Sequence, residues 1–505
     1  MEVRRPLDAN IARRPVHSNG LRLGAPASSW LVLLGLLAFA LLARAQTFDN
    51  PVLGFDEQFY LLVGDRMLHG AVPYVDIFDR KPIGLFLIYA AIRELGGDGF
   101  VQYKLMACGF VALTAFLIQR AARPISSGFA ASVAACLYIL WLNVTGGEGG
   151  QAEVFYNLPM LMAAMLTWRA ARTGERIVAL GCAAMLLAGI AIQIKYTALF
   201  EGLFFGIALL WAGYRSRRSL AALAAPALLW VGCALLPTIL AVLVYWRIGA
   251  LQPFLFANFF SMAGRAPDPF LAQMAGLLKL SLILLPLLAL CVLSRRGRGA
   301  AALPEPGFPL LWLGATIAGV LLFGSFLDPH YGMPVLVPAC IAAAPFFAGY
   351  SHARPVAGVM LAAALIAGQF GLARSEFHKG GRTQALAVAQ AALPNHGCIY
   401  VYDGFPALYM LTHSCLPTRF VFPGHLNTSD EASAKALGVD PAAEMRRILA
   451  TRPEVIVDDA PAYEFGNPET RALVEAALTR DYHLAAKVET GTGRYRLVYR
   501  LNSAQ

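Results

Sequence analysis

Two adjacent carboxylates, Asp56 and Glu57, open a stretch that continues through Tyr60, Asp76, Asp79, Arg80 and Lys81. A carboxylate pair held in place is suited to act as a general base. Phe59, Leu62, Val63, Arg66 and Met67 follow Asp56 at helical spacing. The pair is therefore predicted to start an amphipathic helix, where the helix dipole keeps a carboxylate ionised. An ordinary helix cap would use Asp56 in the same place and leave Glu57 solvated. What exceeds a cap is the pair of cations, Arg80 and Lys81, just before Pro82. Beside a membrane surface these would meet phosphate groups, and lysine is a point charge suited to phosphate.

More polar residues stand at the ends of later apolar runs. Glu148 and Glu153 bracket the segment Thr145-Gly-Gly-Glu-Gly-Gly-Gln-Ala-Glu153. An acid at the head of an apolar run is costly unless it faces a site or a cation, which favours such a role for Glu153. Glu148 reads equally as a solvated loop acid. Lys195 lies between two apolar runs, where it can snorkel to the interface or serve a site. His330 and Tyr331, in Asp328-Pro-His-Tyr-Gly-Met-Pro334, precede a late apolar run. Together these residues offer acids for an acceptor hydroxyl and cations for a phosphate. His396, Asp403, His413 and His425 read as ordinary solvated residues.

The elements that position them follow from composition. The 505 residues are 58% hydrophobic and 14% charged, with a mean hydropathy of +0.57. Soluble domains carry about a quarter charged residues, so the chain is expected to be a multi-spanning membrane protein. Disorder, a disulfide scaffold and a coiled coil are excluded by the same numbers. The net charge of +10 does not indicate a nucleic-acid partner, because the basic residues stand in short clusters between apolar runs. Eleven runs have the length of a spanning helix, near 27–44, 104–121, 127–144, 154–170, 177–194, 197–213, 220–245, 272–293, 307–327, 331–349 and 355–373. Pro82 to Ile92 is too short and is predicted to lie at one membrane face.

With the N-terminus inside, the clusters Arg120–Arg123, Arg169–Arg176, Arg215–Arg218, Arg295–Arg298 and Arg354 all fall on one side, as the positive-inside rule requires. Asp56, Lys81, Glu153, Lys195 and His330 then share the opposite face. The expected organisation is a cytoplasmic basic tail over 1–26, a membrane domain over 27–373 whose first outside loop is 45–103, and an outside α/β domain over 374–505. In that last part the predicted strands are 398–402, 419–422 and 454–458, with helices over 405–411, 440–451 and 468–479 and a hairpin of 482–489 with 494–501. Six of the eight cysteines lie in apolar runs. Cys398 and Cys415 do not, and can pair if their region lies outside the cytoplasm.

From Asp56 to Pro82 the chain resembles the GT-C class of membrane glycosyltransferases, which includes the protein O-mannosyltransferases, the lipid A aminoarabinose transferases and the rhizobial lipopolysaccharide galacturonosyltransferases. The resemblance is carried by Asp56, Glu57, Tyr60, Leu61, Gly70, Pro73, Tyr74, Asp76, Lys81 and Pro82, with Ile83 where the class has a second proline. Glu153 matches a second acidic motif, and His330-Tyr331 with Pro334 and Pro338 a late His-Tyr element; the likeness spans about residues 28–372.

The resemblance implies an inverting transferase that takes a sugar from a polyprenyl-phosphate donor to a glycan, lipid or protein acceptor. By it, Asp56 is the base and Glu57 its support; Lys81, Arg80, Lys195, His330 and Tyr331 would hold the phosphate; Tyr60, Asp76, Asp79, Glu148 and Glu153 would support the site or the acceptor. No nucleotide is implied, no cofactor is called for, and a divalent cation is left open. The arginine- and alanine-rich composition points to a bacterial source, so the expected location is the inner membrane with the C-terminal domain in the periplasm. A secondary transporter or lipid-linked sugar flippase is the rival class. The absence of a sequence repeat and the gathering of charges at one face weigh against it.

Overall fold

A computed structural model describes residues 26–216, 219–296 and 307–502. The basic N-terminal tail up to residue 25, and Arg217, Arg218 and Arg298 of the basic clusters, lie outside the described residues. The chain runs through α1 (Pro26–Ala43), α2 (Phe55–Leu68), α3 (Ile83–Arg93), α4 (Phe100–Ala122), α5 (Gly128–Val144), α6 (Ala152–Thr173), α7 (Ile177–Ile192), α8 (Ala198–Arg215), α9 (Leu220–Arg247), the short α10 (Leu251–Leu255), α11 (Phe270–Arg296), α12 (Gly307–Phe323), α13 (Met333–Gly349) and α14 (Ala353–Lys379). Each of the eleven apolar runs is thus one helix. Among the described residues six helices are long and apolar enough to cross a membrane: Phe100–Ile125, Ala198–Arg215, Ala221–Arg247, Phe270–Arg295, Pro329–Gly349 and Ala353–Ala391. Ser29–Ala43, Gly128–Val144, Ile177–Ile192 and Gly307–Phe323 are shorter apolar helices, and α6 is 22 residues long with Glu153 in its first turn.

Packing separates an inner from an outer layer. The span containing α13 is 89% buried and that of α9 only 11%, so α13 is the centre, with α5, α11 and α12 against it. The outer helix turns Leu228, Val231, Leu235 and Ile239 away from the protein, a surface that suits lipid and not water. Inner contacts use small residues, which let helix backbones approach closely. A side chain at Gly189 of α7 would run into the Ala234 carbonyl of α9, and Trp230 of α9 donates from Nε1 to the Val178 carbonyl of α7 at 3.1 Å.

Between α1 and α4 the chain makes two short helices outside that set. Helix α2 begins at Phe55, one residue before the carboxylate pair, and is the helix the spacing predicts, but it is buried on every face from Glu57 to Asp65 and so is not amphipathic. It packs on α3, the 11-residue helix of the short apolar stretch. Arg93 of α3 donates from Nε to Asp65 of α2 at 3.0 Å.

Beyond α14 and α15 (Arg382–Ala391) lies a four-stranded sheet of β1 (Ile399–Val401), β2 (Val455–Ala460), β3 (Tyr482–Gly491) and β4 (Arg494–Leu501), in the order β1-β2-β4-β3. The first two strands are parallel, with Tyr400 opposite Ile456; β3 and β4 form the expected hairpin. Helices Pro441–Ala450 and Pro468–Asp481 start where the sequence has capping residues. Asp440 accepts from the Ala443 amide at 2.6 Å, and Asn467 from that of Glu469 at 3.1 Å, each before a proline at the first helical position. A disulfide joins Cys398 to Cys415. Expectations fail here: Asp403 and His425, expected to be solvated, are buried, and residues 419–422 form no strand. Phe420 and Phe422 instead pack against His425, Phe78 and Phe59, so aromatic burial against the membrane domain outweighs their strand propensity.

Candidate active site

The carboxylate of Asp56, in the first turn of α2, is the focus. Its Oδ2 accepts from the Tyr60 hydroxyl at 3.1 Å, one helical turn on, and from Nε2 of Gln151 at 3.3 Å. Lys81 Nζ stands 4.0 Å away and 5.6 Å from the centre of the Tyr60 ring. Burial pushes the Asp56 carboxyl up, but the charges of Lys81 and His330 and the two hydrogen bonds outweigh it, so the group is held below its ordinary value. A carboxylate kept ionised beside a cation is a base ready to accept a proton.

Its neighbour is the opposite case. Glu57 is 3% exposed, and its Oε2 has no hydrogen-bond partner. Burial, with the adjacent charge of Asp56 second, pushes it up to about 8. Two glycines make room for it: a side chain at Gly54 would strike the Glu57 carboxyl, and one at Gly149 would come within 2.8 Å of Oε1. Glu148, from the same glycine-rich segment, is partly buried, is also pushed up by burial, and likewise leaves one oxygen unpartnered. Two neighbouring acids are thus driven apart in protonation by their surroundings.

Lys81 is fixed by its backbone. The Tyr74 hydroxyl donates to its carbonyl at 2.8 Å, and its amide donates to Asp79 Oδ1 at 2.6 Å. Tyr74 is buried at a φ of 70°, held by a hydrogen bond from its amide to the Ile77 carbonyl at 2.7 Å. Burial lowers the Lys81 ammonium while Asp56 and Asp79 raise it further, so it stays above its ordinary value and charged. Asp79 is buried and pushed up for want of solvent.

The later residues join from other helices. Lys195, before α8, is ion-paired with Glu153 of α6, and its Nζ lies 4.4 Å from the centre of the Tyr331 ring. The His330 and Tyr331 rings are 4.3 Å apart. Two predicted participants stand elsewhere. Asp76 is exposed and accepts from the Val72 amide at 2.7 Å, closing a turn. Arg80 turns away from Asp56 and binds Glu431 through both guanidinium ends at 2.6 Å.

Sequence reasoning missed Gln151, Lys104 and Glu431. Gln151 had a visible signal, being the one amide between Glu148 and Glu153. Lys104 is 1% exposed and caps the carbonyls of Thr47 and Asn50, fixing the chain ahead of α2. Among the described residues no cluster of three or more His, Cys, Asp or Glu side chains is arranged to hold a metal ion. A small cavity of about 20 Å³ opens beside Tyr331, between α8, α12 and α13; Phe200, Glu201, Val320, Phe323 and Pro334 line it.

No family model and no curated protein sequence matches the chain. Among solved structures it is similar to ArnT from Cupriavidus metallidurans bound to undecaprenyl phosphate, with a TM-score of 0.58 at 17% identity, covering 94% of this chain and 98% of that one. It is also similar to ArnT from the same organism in the apo state, with a TM-score of 0.60 at 15% identity and the same coverage. The chain therefore has, over nearly its whole length, the fold of a GT-C membrane glycosyltransferase such as ArnT.

Proposed function

We propose that this protein is an inverting glycosyltransferase that moves a monosaccharide from a polyprenyl-phosphate donor to an envelope acceptor: lipopolysaccharide, another glycan or a protein hydroxyl. The observation that carries the reading is the ionised Asp56 carboxylate with the charged Lys81 ammonium 4.0 Å away. In one step Asp56 takes the proton of an acceptor hydroxyl while that oxygen attacks the anomeric carbon. The bond from that carbon to the phosphate oxygen breaks, the configuration inverts, and polyprenyl phosphate leaves with the bonding pair. Lys81 and Lys195 hold the donor's phosphate, which is already charged in the bound donor, and keep that hold as it leaves. Lys195 is neutralised in the resting state by Glu153, so a bound phosphate would compete with that carboxylate for it. The ArnT structure bound to undecaprenyl phosphate supports a polyprenyl phosphate as the lipid partner.

The reading puts the reaction on the periplasmic face of a bacterial inner membrane. The positive-inside rule assigns the basic clusters of the sequence to the cytoplasmic side, and a Cys398–Cys415 disulfide in the C-terminal domain suits an oxidising compartment. The test is purified protein in detergent with radiolabelled polyprenyl-phosphate sugars and an extract of envelope acceptors. Transfer of label from lipid to acceptor supports the reading, and the labelled product names the acceptor. No turnover with any donor, alongside ligand-dependent uptake in proteoliposomes, would replace it with a transporter.

A further inference from the structure

We infer that the C-terminal domain builds part of the donor site: Glu431, acting through Arg80, is a positioning residue for Lys81. The inference rests on the proposed phosphate role of Lys81, but its geometry stands independently. Lys81 reaches Asp56 from the end of a strap, residues 73–81, that has little regular structure of its own. Phe78 donates its amide to the Arg419 carbonyl at 2.9 Å, and its ring packs on Phe420 and His425 with centroids 5.2 and 5.1 Å away. Asp79 Oδ2 lies 3.9 Å from His425 Nε2. Three consecutive residues before Lys81 therefore rest on the C-terminal domain.

Arg80 is the anchor. Beyond its two bonds to Glu431, Nη2 donates to the Ala436 carbonyl at 2.9 Å and Nε to the Ser261 hydroxyl at 2.6 Å. Its side chain is 11% exposed and that of Glu431 5%. Glu431 is steadied in turn by Arg265, whose Nε lies 3.1 Å from it and which also pairs with Asp430. Two guanidinium groups and two carboxylates thus balance, with the Arg80–Glu431 pair buried and Arg265 and Asp430 at its partly exposed edge, joining the strap, the segment after α10 and the C-terminal domain. Removing one carboxylate would leave a buried cation unpaired, which is far more costly than losing a surface pair. The nearest remaining acid along the strap is Asp79, which holds the Lys81 amide. An Arg80 released from Glu431 would compete for Asp79 and loosen Lys81 from Asp56. A domain that served only to bind an acceptor would have no need of this grip on the strap.

The test uses full-length protein in detergent, with Glu431→Gln and the conservative Arg80→Lys compared with wild type. Two readouts are taken: acylation of Lys81 by an amine-reactive ester, mapped by mass spectrometry against the exposed Lys379, and kcat and KM for a polyprenyl-phosphate sugar. Glu431→Gln is expected to change the Lys81 labelling rate at least threefold and to raise KM at least fivefold with kcat within twofold. Arg80→Lys, which keeps the charge, should fall between it and wild type. Glu469→Gln, at an exposed acid of the same domain, should move neither. Wild-type labelling and KM in both Glu431→Gln and Arg80→Lys would overturn the inference while leaving the transferase reading intact. If wild type turns over no donor, the transferase reading fails, and labelling alone still decides whether Glu431 positions Lys81.

Discussion

Asp56 and Glu57 share one helical turn and one chemistry, yet Asp56 is surrounded by donors and a cation while Glu57 meets glycine backbone and another acid. That difference is why Asp56, and not Glu57, is the proposed base. Lys81→Ala should raise KM for the lipid donor about tenfold, equal to about 1.4 kcal/mol of lost binding, as steady-state kinetics would reveal; an unchanged KM removes it from the phosphate site. Glu57 gives a stability prediction with a defined sign. Its carboxyl moves from an ordinary 4.5 to about 8 on folding, so the folded protein binds a proton that the unfolded chain releases between those values. Its contribution is fully present below about 4.5 and is lost as pH rises toward about 8. The melting temperature of wild type should therefore fall over that window more than that of Glu57→Gln, by on the order of a few kcal/mol in stability. Parallel melting profiles for the two would show that Glu57 is ionised in the folded state. The acid pair and Lys81 were legible from residue type and order alone. Arg80 was legible only as a cation, because its partner Glu431 lies 351 positions away and no local pattern announces it.

At the scale of elements, hydropathy was the strongest signal. Every run of spanning length became one helix, and the short stretch before Arg93 became the separate α3, since burial in lipid or protein rewards an unbroken backbone ladder. The segment around Phe420 misled because aromatic and β-branched residues favour strands, while their actual use is to bury Phe78 and Phe59 at the contact between domains. Close helix contacts were not legible either, since a glycine in an apolar run reads the same whether or not a backbone lies against it. Gly189→Val should push α7 from α9 at the Ala234 carbonyl and cost about 1–3 kcal/mol; a melting temperature equal to wild type would contradict that contact. The disulfide closes a short loop, with its cysteines 17 positions apart, which corresponds to about 3 kcal/mol from loop entropy. Paired Cys398→Ser and Cys415→Ser should lower the stability of the C-terminal domain by about that amount, read as earlier protease cleavage there.

The whole molecule sets an apolar bundle against a polar cap, with Asp56 and Lys81 where the two meet. Charge placement along the sequence gave an orientation, and reporter fusions can check it: a periplasm-active enzyme joined after Gln505 should be active, and one inserted at Ser216 inactive. The reverse pattern would invert the protein. What the sequence did not reveal is that the cap grips the strap bearing Lys81, because that contact arises only when residues 78–80 and 419–436 are folded together. The measurement that tests the central claim most directly is release of radiolabelled sugar from a polyprenyl-phosphate donor by wild type and by Asp56→Asn, in detergent with envelope acceptors present. Wild type should transfer the label and Asp56→Asn should be slower by about 10²- to 10⁴-fold, the range supplied by a positioned base. Equal rates for the two proteins would contradict the assignment of Asp56 as the catalytic base.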